Sequence, residues 1–306
     1  MKTTAAKLKA PKMQKYTIKD FQAEFPNDDA CLEWLKNYLY PNGIHCQTCD
    51  RVTKHHKVAS RKSYSCDYCG HHVHPTADTI YHKSSTPLTI WFYAIYLMAS
   101  TRCGISAKQI QRETGVTYKT AWRMFNQIRK MLAEDVDPLS GKVEIDETFV
   151  GGRYRHPRRG EKRGRVPNDN KITVAGAVER GGKVIARVVP ERKGRTLMPF
   201  VRENVREEST VYTDEWNGYW PVSRNNYTHH TIQHKAKIWA QGDTHTNSVE
   251  GFWSLVKGGI RGVYHGVSPK YLQNYLDEFS FRYNRRFDET PMFRSFLTQV
   301  RKVSSD

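Results

Sequence analysis

The stretch KVEIDETFVGG, residues 142–152, reads as a β-strand running into two glycines. Val143 and Ile145 fall on one face, and Asp146 falls on the other. A single strand-end carboxylate is more often a solvated surface acid than a ligand, so the surrounding pattern has to decide its role. KITVAGAVER (171–180) and KVIARVVP (183–190) are two further strands, joined by Gly181-Gly182 as a hairpin. A helix through LMPFVRENV follows, and STVYTDEW (209–216) is a fourth strand ending at Asp214. A short fifth strand is expected near THHTIQH (228–234). The helix HTNSVEGFWSLVKGG (245–259) comes next and carries Glu250.

This order predicts a mixed sheet in which the first and fourth strands lie side by side. Asp146 and Asp214 then meet at adjacent strand ends, and Glu250 leans in from the following helix. Such a trio of oxygen donors can hold two Mg²⁺ (or Mn²⁺) ions for an in-line phosphoryl transfer. Asn247 sits one turn before Glu250 on the same helix face, where its amide can donate or accept near the metal. Lys257 is two turns after Glu250 on that face, placed to hold a DNA phosphate. Taken singly, each acid reads as a surface carboxylate. Together, with 35 residues between Asp214 and Glu250, they are far more specific.

The charge balance points to the same class of partner. Among 306 residues there are 49 Lys and Arg against 31 Asp and Glu, a net charge of +18 and a pI near 9.6. That excess favours a polyanion, nucleic acid before an anionic membrane surface. The most apolar run, LTIWFYAIYLMAS (88–100), is too short for a membrane span and reads as a buried helix. The N-terminus is basic without the apolar core of a signal peptide, so a loose arm is expected there rather than secretion. The segment 151–171 carries eight Lys or Arg and two acids. It is expected as a loop after the first catalytic strand, with Arg158, Arg159, Lys162 and Arg163 gripping flanking or target DNA.

CQTC (46–49) and CDYC (66–69) are separated by sixteen residues. This is the spacing of a tetrahedral thiolate zinc site, with Cys46, Cys49, Cys66 and Cys69 as ligands and one structural Zn²⁺. All four positions are filled by thiolates, so the site is structural, and the thiols imply a reducing compartment. His45, His71, His72 and His74 read as exposed loop residues. GISAKQIQRETGVTYKTAWRMFNQIRKML (104–132) contains two helical patterns around Gly115, with Ser106 and Gln109 as a capping box and Thr117 as a second cap. It reads either as a common helical hairpin or as a helix-turn-helix. In the second case Tyr118, Lys119 and Arg123 on the exposed first turns contact DNA.

With these motifs in hand, the chain resembles the insertion-sequence-1595 (ISXO-two-like) transposases, which are related to the Merlin DNA transposons. The resemblance runs in order through the Cys quartet, HPTADTIYHKSSTPLTIWFYAIYLMA, GISAKQIQRETGVTYKTAWRM, VEIDETFVGG, VYTDEWNGY, HTNSVEGFWSLVKGG, YHGVSPKYL and DEFSFRYNRR. It implies a ribonuclease-H-like catalytic domain of the Asp-Asp-Glu type that cleaves element ends and transfers them to target DNA. Asp146 and Asp214 match the first two catalytic positions. The stretch TNSVEG offers both Asn247 and Glu250 for the third, and Glu250 is favoured because a carboxylate binds Mg²⁺ better than an amide. Glu278, Arg282 and Arg285 match a family signature, with the two arginines either touching phosphates or held in intrahelical ion pairs.

The resulting expectation is an α+β or α/β multidomain protein. It has a basic arm and helix (1–43), a zinc β-ribbon (44–82), a helical helix-turn-helix region (86–135), a mixed-sheet catalytic domain (140–290) and a tail (291–306). The expected partner is double-stranded DNA, both element ends and target, with no membrane and with at least a homodimer on DNA because two ends must be joined. The expected setting is the bacterial cytoplasm and nucleoid. A non-catalytic zinc-ribbon DNA-binding protein and a structure-specific nuclease are the alternatives.

Overall fold

The computed structural model describes residues 13–151, 171–233, 236 and 240–300. In chain order the helices and strands begin α1 (Ile18–Glu24), α2 (Asp28–Leu39), β1 (Ile44–Cys46), β2 (Arg51–Thr53), β3 (His55–Lys57), β4 (Tyr64–Cys66) and β5 (His72–Val73). They continue α3 (Leu88–Ser100), α4 (Ala107–Thr114), α5 (Tyr118–Met131), β6 (Lys142–Gly151), β7 (Lys171–Glu179), β8 (Val184–Val189) and α6 (Gly194–Asn204). The last are β9 (Thr210–Asp214), a 3-10 segment (Asn217–Arg224), β10 (Thr228–Ile232), α7 (Asn247–Gly259), α8 (Leu272–Asn284) and α9 (Met292–Leu297). Two compact units result: one holds the described residues up to Leu132 and those from Phe287 on, and the other spans Ala133–Arg286.

In the first unit the helices begin where side chains satisfy the open N–H groups of a first turn. Thr17 and Asp20 form a capping box on α1, and Asn27 accepts the Ala30 N–H at the start of α2. α3 is the apolar stretch of the sequence, and it buries Leu88, Trp91, Phe92, Ile95 and Met98 at helical spacing. Phe25 meets Phe92 edge-on at 5.0 Å and Phe293 of α9 at 6.0 Å. Residues read from the sequence as a tail thus form a helix whose phenylalanines are buried in this unit. No helix among the described residues is long and apolar enough to cross a membrane.

α4 and α5 flank Gly115, which takes the left-handed conformation (φ 71°) that the reversal of the chain requires. Ser106 accepts the Gln109 N–H at 3.1 Å, but the Gln109 side chain donates to Glu113, so half of the expected capping box forms. Thr117 caps α5 through the Thr120 N–H at 3.2 Å. β1 and β2 pair antiparallel, and β3, β4 and β5 form a separate three-stranded antiparallel sheet. Cys46 and Cys66 are the last residues of β1 and β4, so each C-x-x-C pair rides on the turn after a strand.

The second unit is built on a mixed five-stranded sheet ordered β10-β9-β6-β7-β8. β6, β7 and β8 are an antiparallel meander, β9 runs parallel to β6, and β10 runs parallel to β9. The first and fourth strands are therefore neighbours, as the order of elements predicts. One face packs Val143, Ile145, Ala175 and Ala177 against Leu197, Phe200 and Val201 of α6 and Tyr219 of the 3-10 segment. The other packs Val174, Val178 and Val184 against Val249, Phe252, Trp253 and Val256 of α7 and Leu272 and Leu276 of α8. Covering on both faces explains why β7 is nearly continuous in apolar residues rather than alternating.

Asp146 pairs across the ladder with Gly176. A Cβ at Gly176 would lie 2.5 Å from Cζ2 of Trp253, so the missing side chain is what admits the indole beside Asp146. Gly176→Ala is expected to cost about 1–3 kcal/mol through overpacking. A thermal melt reads this as a lowered Tm, and an unchanged Tm would mean that the indole is not seated there.

Candidate functional site

The β6–β9 ladder pairs Lys142 with Thr210, Val143 with Val211 and Glu144 with Tyr212, a constant offset of 68 residues. Continued by two residues, the same offset sets Asp146 level with Asp214 just beyond the paired stretch. Asp214 ends β9, and its Oδ1 accepts the Trp216 N–H at 3.0 Å, which turns the chain sharply out of the sheet. Val249, Phe252, Trp253 and Val256 pin α7 to the sheet, leaving Glu250 on its open side. The Thr246 hydroxyl donates to Glu250 Oε1 at 2.8 Å.

The three acids share one electrostatic field. Burial first, and then the charges of Glu147, Asp214 and Glu250, push the Asp146 carboxyl up to about 7. Burial and the Asp214 charge also raise Glu147, although Tyr219 donates to it at 2.6 Å and Arg192 stands 3.8 Å away. Like charges crowded in a poorly solvated place disfavour ionisation unless a cation joins them. The donors are all oxygen, which suits Mg²⁺ or Mn²⁺. They share this field without closing on one point. Among the described residues, the group of three or more ligands already gathered round a common centre is the cysteine quartet.

Asn247 is the exposed first residue of α7, and Lys257 lies half-buried in its last turn. Tyr118, Lys119 and Arg123 are exposed at the start of α5. Arg158, Arg159, Lys162 and Arg163 lie outside the described residues. Arg282 donates to the buried Glu278 at 2.7 Å, and Arg285 forks onto Glu134, with one bond of 2.8 Å. Both guanidiniums are thus engaged by carboxylates, with Arg285 also stacked 3.6 Å from the Phe281 ring.

In the quartet, Cys46 Sγ is 3.5 Å from Cys69 Sγ, Cys49 Sγ is 3.9 Å from Cys66 Sγ, and all four lie within 4.8 Å of one another. A tetrahedron with Zn–S near 2.3 Å has edges of about 3.8 Å, so the geometry fits zinc. Hydrogen bonds from the Thr53 hydroxyl and from backbone N–H groups hold Cys66 down to about 5, while crowding by the other sulfurs pushes Cys49 up to about 12.

Four residues around the acids escape a reading by motif. Glu144 is fully buried and accepts N–H bonds from Ser248 at 2.7 Å and Val249 at 3.1 Å. Arg180 donates to the same carboxylate at 2.7 Å. Trp253 covers Gly176, and Thr246 holds Glu250. The available signal is the alternation of β6, which puts Glu144 on the Asp146 face in a strand buried on both sides.

Residues 138–284 match the ISXO2-like transposase domain, and residues 26–72 match the transposase zinc-ribbon domain. A transposase-like protein of Haemophilus influenzae is 30% identical over 96% of its own length and 40% of this chain. The chain belongs to the insertion-sequence-1595 family of transposases. A protein in the transposable element ISH50 of Halobacterium salinarum is 28% identical over 91% of its own length and 84% of this chain. In this transposase-family chain the zinc-ribbon match contains all four cysteines, and the transposase-domain match contains Asp146, Asp214 and Glu250.

The raised carboxyl of Asp146 has a consequence for stability. An acid whose folded pKa lies above its unfolded value near 3.8 destabilises the fold increasingly as pH rises from 4 to 7, and fully above that. Asp146→Asn is expected to raise the Tm at pH 8 without Mg²⁺ or Mn²⁺, by several degrees or on the order of 2 kcal/mol, and to change little at pH 4. Thermal melts of the zinc-loaded proteins without added Mg²⁺ or Mn²⁺ at the two pH values measure this, and a variant no more stable at pH 8 would contradict the crowding.

Proposed function

We propose that this chain cuts the ends of its own element and joins them to target DNA, with Asp146, Asp214 and Glu250 as the catalytic acids. The observation that carries this reading is the level setting of Asp146 and Asp214 on parallel neighbours, with the Glu250 charge acting on Asp146. The strand order supports a ribonuclease-H-like catalytic domain. Asp146, Asp214 and Glu250 would hold Mg²⁺ or Mn²⁺, which would supply activation of the attacking oxygen and stabilisation of the leaving one in phosphoryl transfer.

The remaining roles belong to side chains. Asp146 lies in the field of both other acids and would be the central ligand of the three. Glu250 is preferred to Asn247 as the third ligand, because it is a carboxylate held by Thr246 and already in the field of Asp146. Lys257 is two turns further along the same face of α7 and holds a phosphate of the bound strand. The helix pair around Gly115 acts as a helix-turn-helix, with Tyr118, Lys119 and Arg123 reaching DNA, and the zinc ribbon assists in recognising the terminal repeats. The net charge of +18 supports a duplex partner. Joining two ends in one event requires at least two copies on DNA.

The test incubates the protein with labelled duplexes copied from the DNA bordering its gene, target plasmid and Mg²⁺, beside Asp214→Asn. Joined product from the wild type alone is the expected result. Cleavage without joining would favour a nuclease, and equal binding by both proteins without reaction would leave a DNA-binding protein.

A further inference from the structure

α7 carries Glu250, and the start of this helix is capped in an unusual way. Thr246 occupies the N-cap, yet its side chain makes no capping bond to the helix. Its hydroxyl goes to Glu250 Oε1 instead. The open N–H groups of Ser248 and Val249 are satisfied by Glu144, more than 100 residues upstream on β6. The Ser248 hydroxyl donates to the same carboxylate at 3.1 Å. Strand β6 thus supplies a cap at Glu144 and, two residues on along the same face, the acid Asp146.

Arg180 holds this arrangement from the turn that follows β7. Its Nε donates to Glu144 at 2.7 Å, and its guanidinium lies 4.0 Å from the Tyr212 ring. Its two terminal nitrogens donate to the carbonyls of Asp243 and His245, at 2.8 and 2.9 Å, in the segment that leads into α7. His245 Nδ1 is 3.2 Å from Glu144. The buried Glu144 carboxylate thus meets the Arg180 guanidinium, two backbone N–H groups and a hydroxyl at the start of α7.

We propose that Glu144, clamped by Arg180, is a positioning residue that sets where α7 starts along β6, and so sets the distance from Glu250 to Asp146. The proposal rests on the reading of Asp146, Asp214 and Glu250 as the metal site. The helix rises only about 1.5 Å per residue, so slippage of its first turn by one residue carries Glu250 that far from a ligand position. Thr246 is left to orient the Glu250 carboxylate because Glu144 has taken over the capping. Glu144→Gln has one acceptor oxygen where the α7 N–H groups and Arg180 use two, so it loses either the cap or the clamp without changing the shape of the side chain.

The experiment compares full-length wild type, Glu144→Gln, Glu144→Asp and Glu250→Gln. It reads Mn²⁺ binding by calorimetry and amide hydrogen exchange across residues 246–252 before Mn²⁺ is added, both on zinc-loaded protein. Removing a group that orients a ligand typically weakens metal affinity by about 10–100-fold. Glu144→Gln is expected to weaken Mn²⁺ binding by about tenfold and to lose protection at the start of α7, with duplex DNA affinity unchanged. If Glu144→Gln does not fold, Glu144→Asp carries the same expectation, because it keeps the charge beside Arg180 and withdraws it by one methylene. Wild-type Mn²⁺ affinity and wild-type protection in the folded variant would overturn the proposal. Glu250→Gln separates the two claims: if it too binds Mn²⁺ normally, the metal site itself has been misread.

Discussion

The parallel pairing of β6 with β9 is the constraint on which the second unit depends. Parallel neighbours cannot be joined by a tight turn, so the chain must cross over a face of the sheet between them. It does so through the β7–β8 meander and α6, which returns it to the free edge of β6. The crossover buries Leu197, Phe200 and Val201 against Val143, Ile145 and Ala177. The same packing holds the 68-residue offset that brings Asp146 and Asp214 level. Only after β9 and β10 does the chain reach the opposite face, where α7 delivers Glu250.

Two carboxylates on one face of β6 have opposite surroundings. Glu144 is surrounded by donors: two backbone N–H groups, a hydroxyl and Arg180. Asp146 is surrounded by other acids, and its charged form is disfavoured. The first arrangement stabilises a helix start, and the second leaves an unmet demand for positive charge. Strain of this kind persists only where the surrounding packing over-determines it, here through Trp253 seated on Gly176 and the apolar face of α7. The zinc centre uses the same principle with sulfur in place of oxygen.

How far the sequence was legible depends on whether each signal is local. The cysteine spacing identifies the ribbon because two knuckles and their separation suffice. The Ser106 and Thr117 caps and the Gly115 turn are equally local, and the strand order follows from the succession of elements along the chain. Glu144 is different: its partners lie more than 100 residues away, and nothing near it announces a cap for α7. The Gly176–Trp253 contact is equally non-local. Arg282 and Arg285 could be phosphate contacts or ion-pair partners by sequence; Glu278, one turn away, is local, whereas Glu134, which holds Arg285, is not. Residues 291–300 look like a tail because α9 is short, and only its buried phenylalanines reveal that it belongs to the first unit.

The proposed function requires Asp146, Asp214 and Glu250 together to bind the ions used in strand transfer. Diffraction from crystals grown with Mn²⁺ and a duplex end, recorded at the manganese absorption edge, tests it most directly. The expected result is anomalous density for two ions among these three carboxylates, with a separate signal at the cysteines in data recorded at the zinc edge. Manganese bound elsewhere, with these acids contacting none, would contradict it.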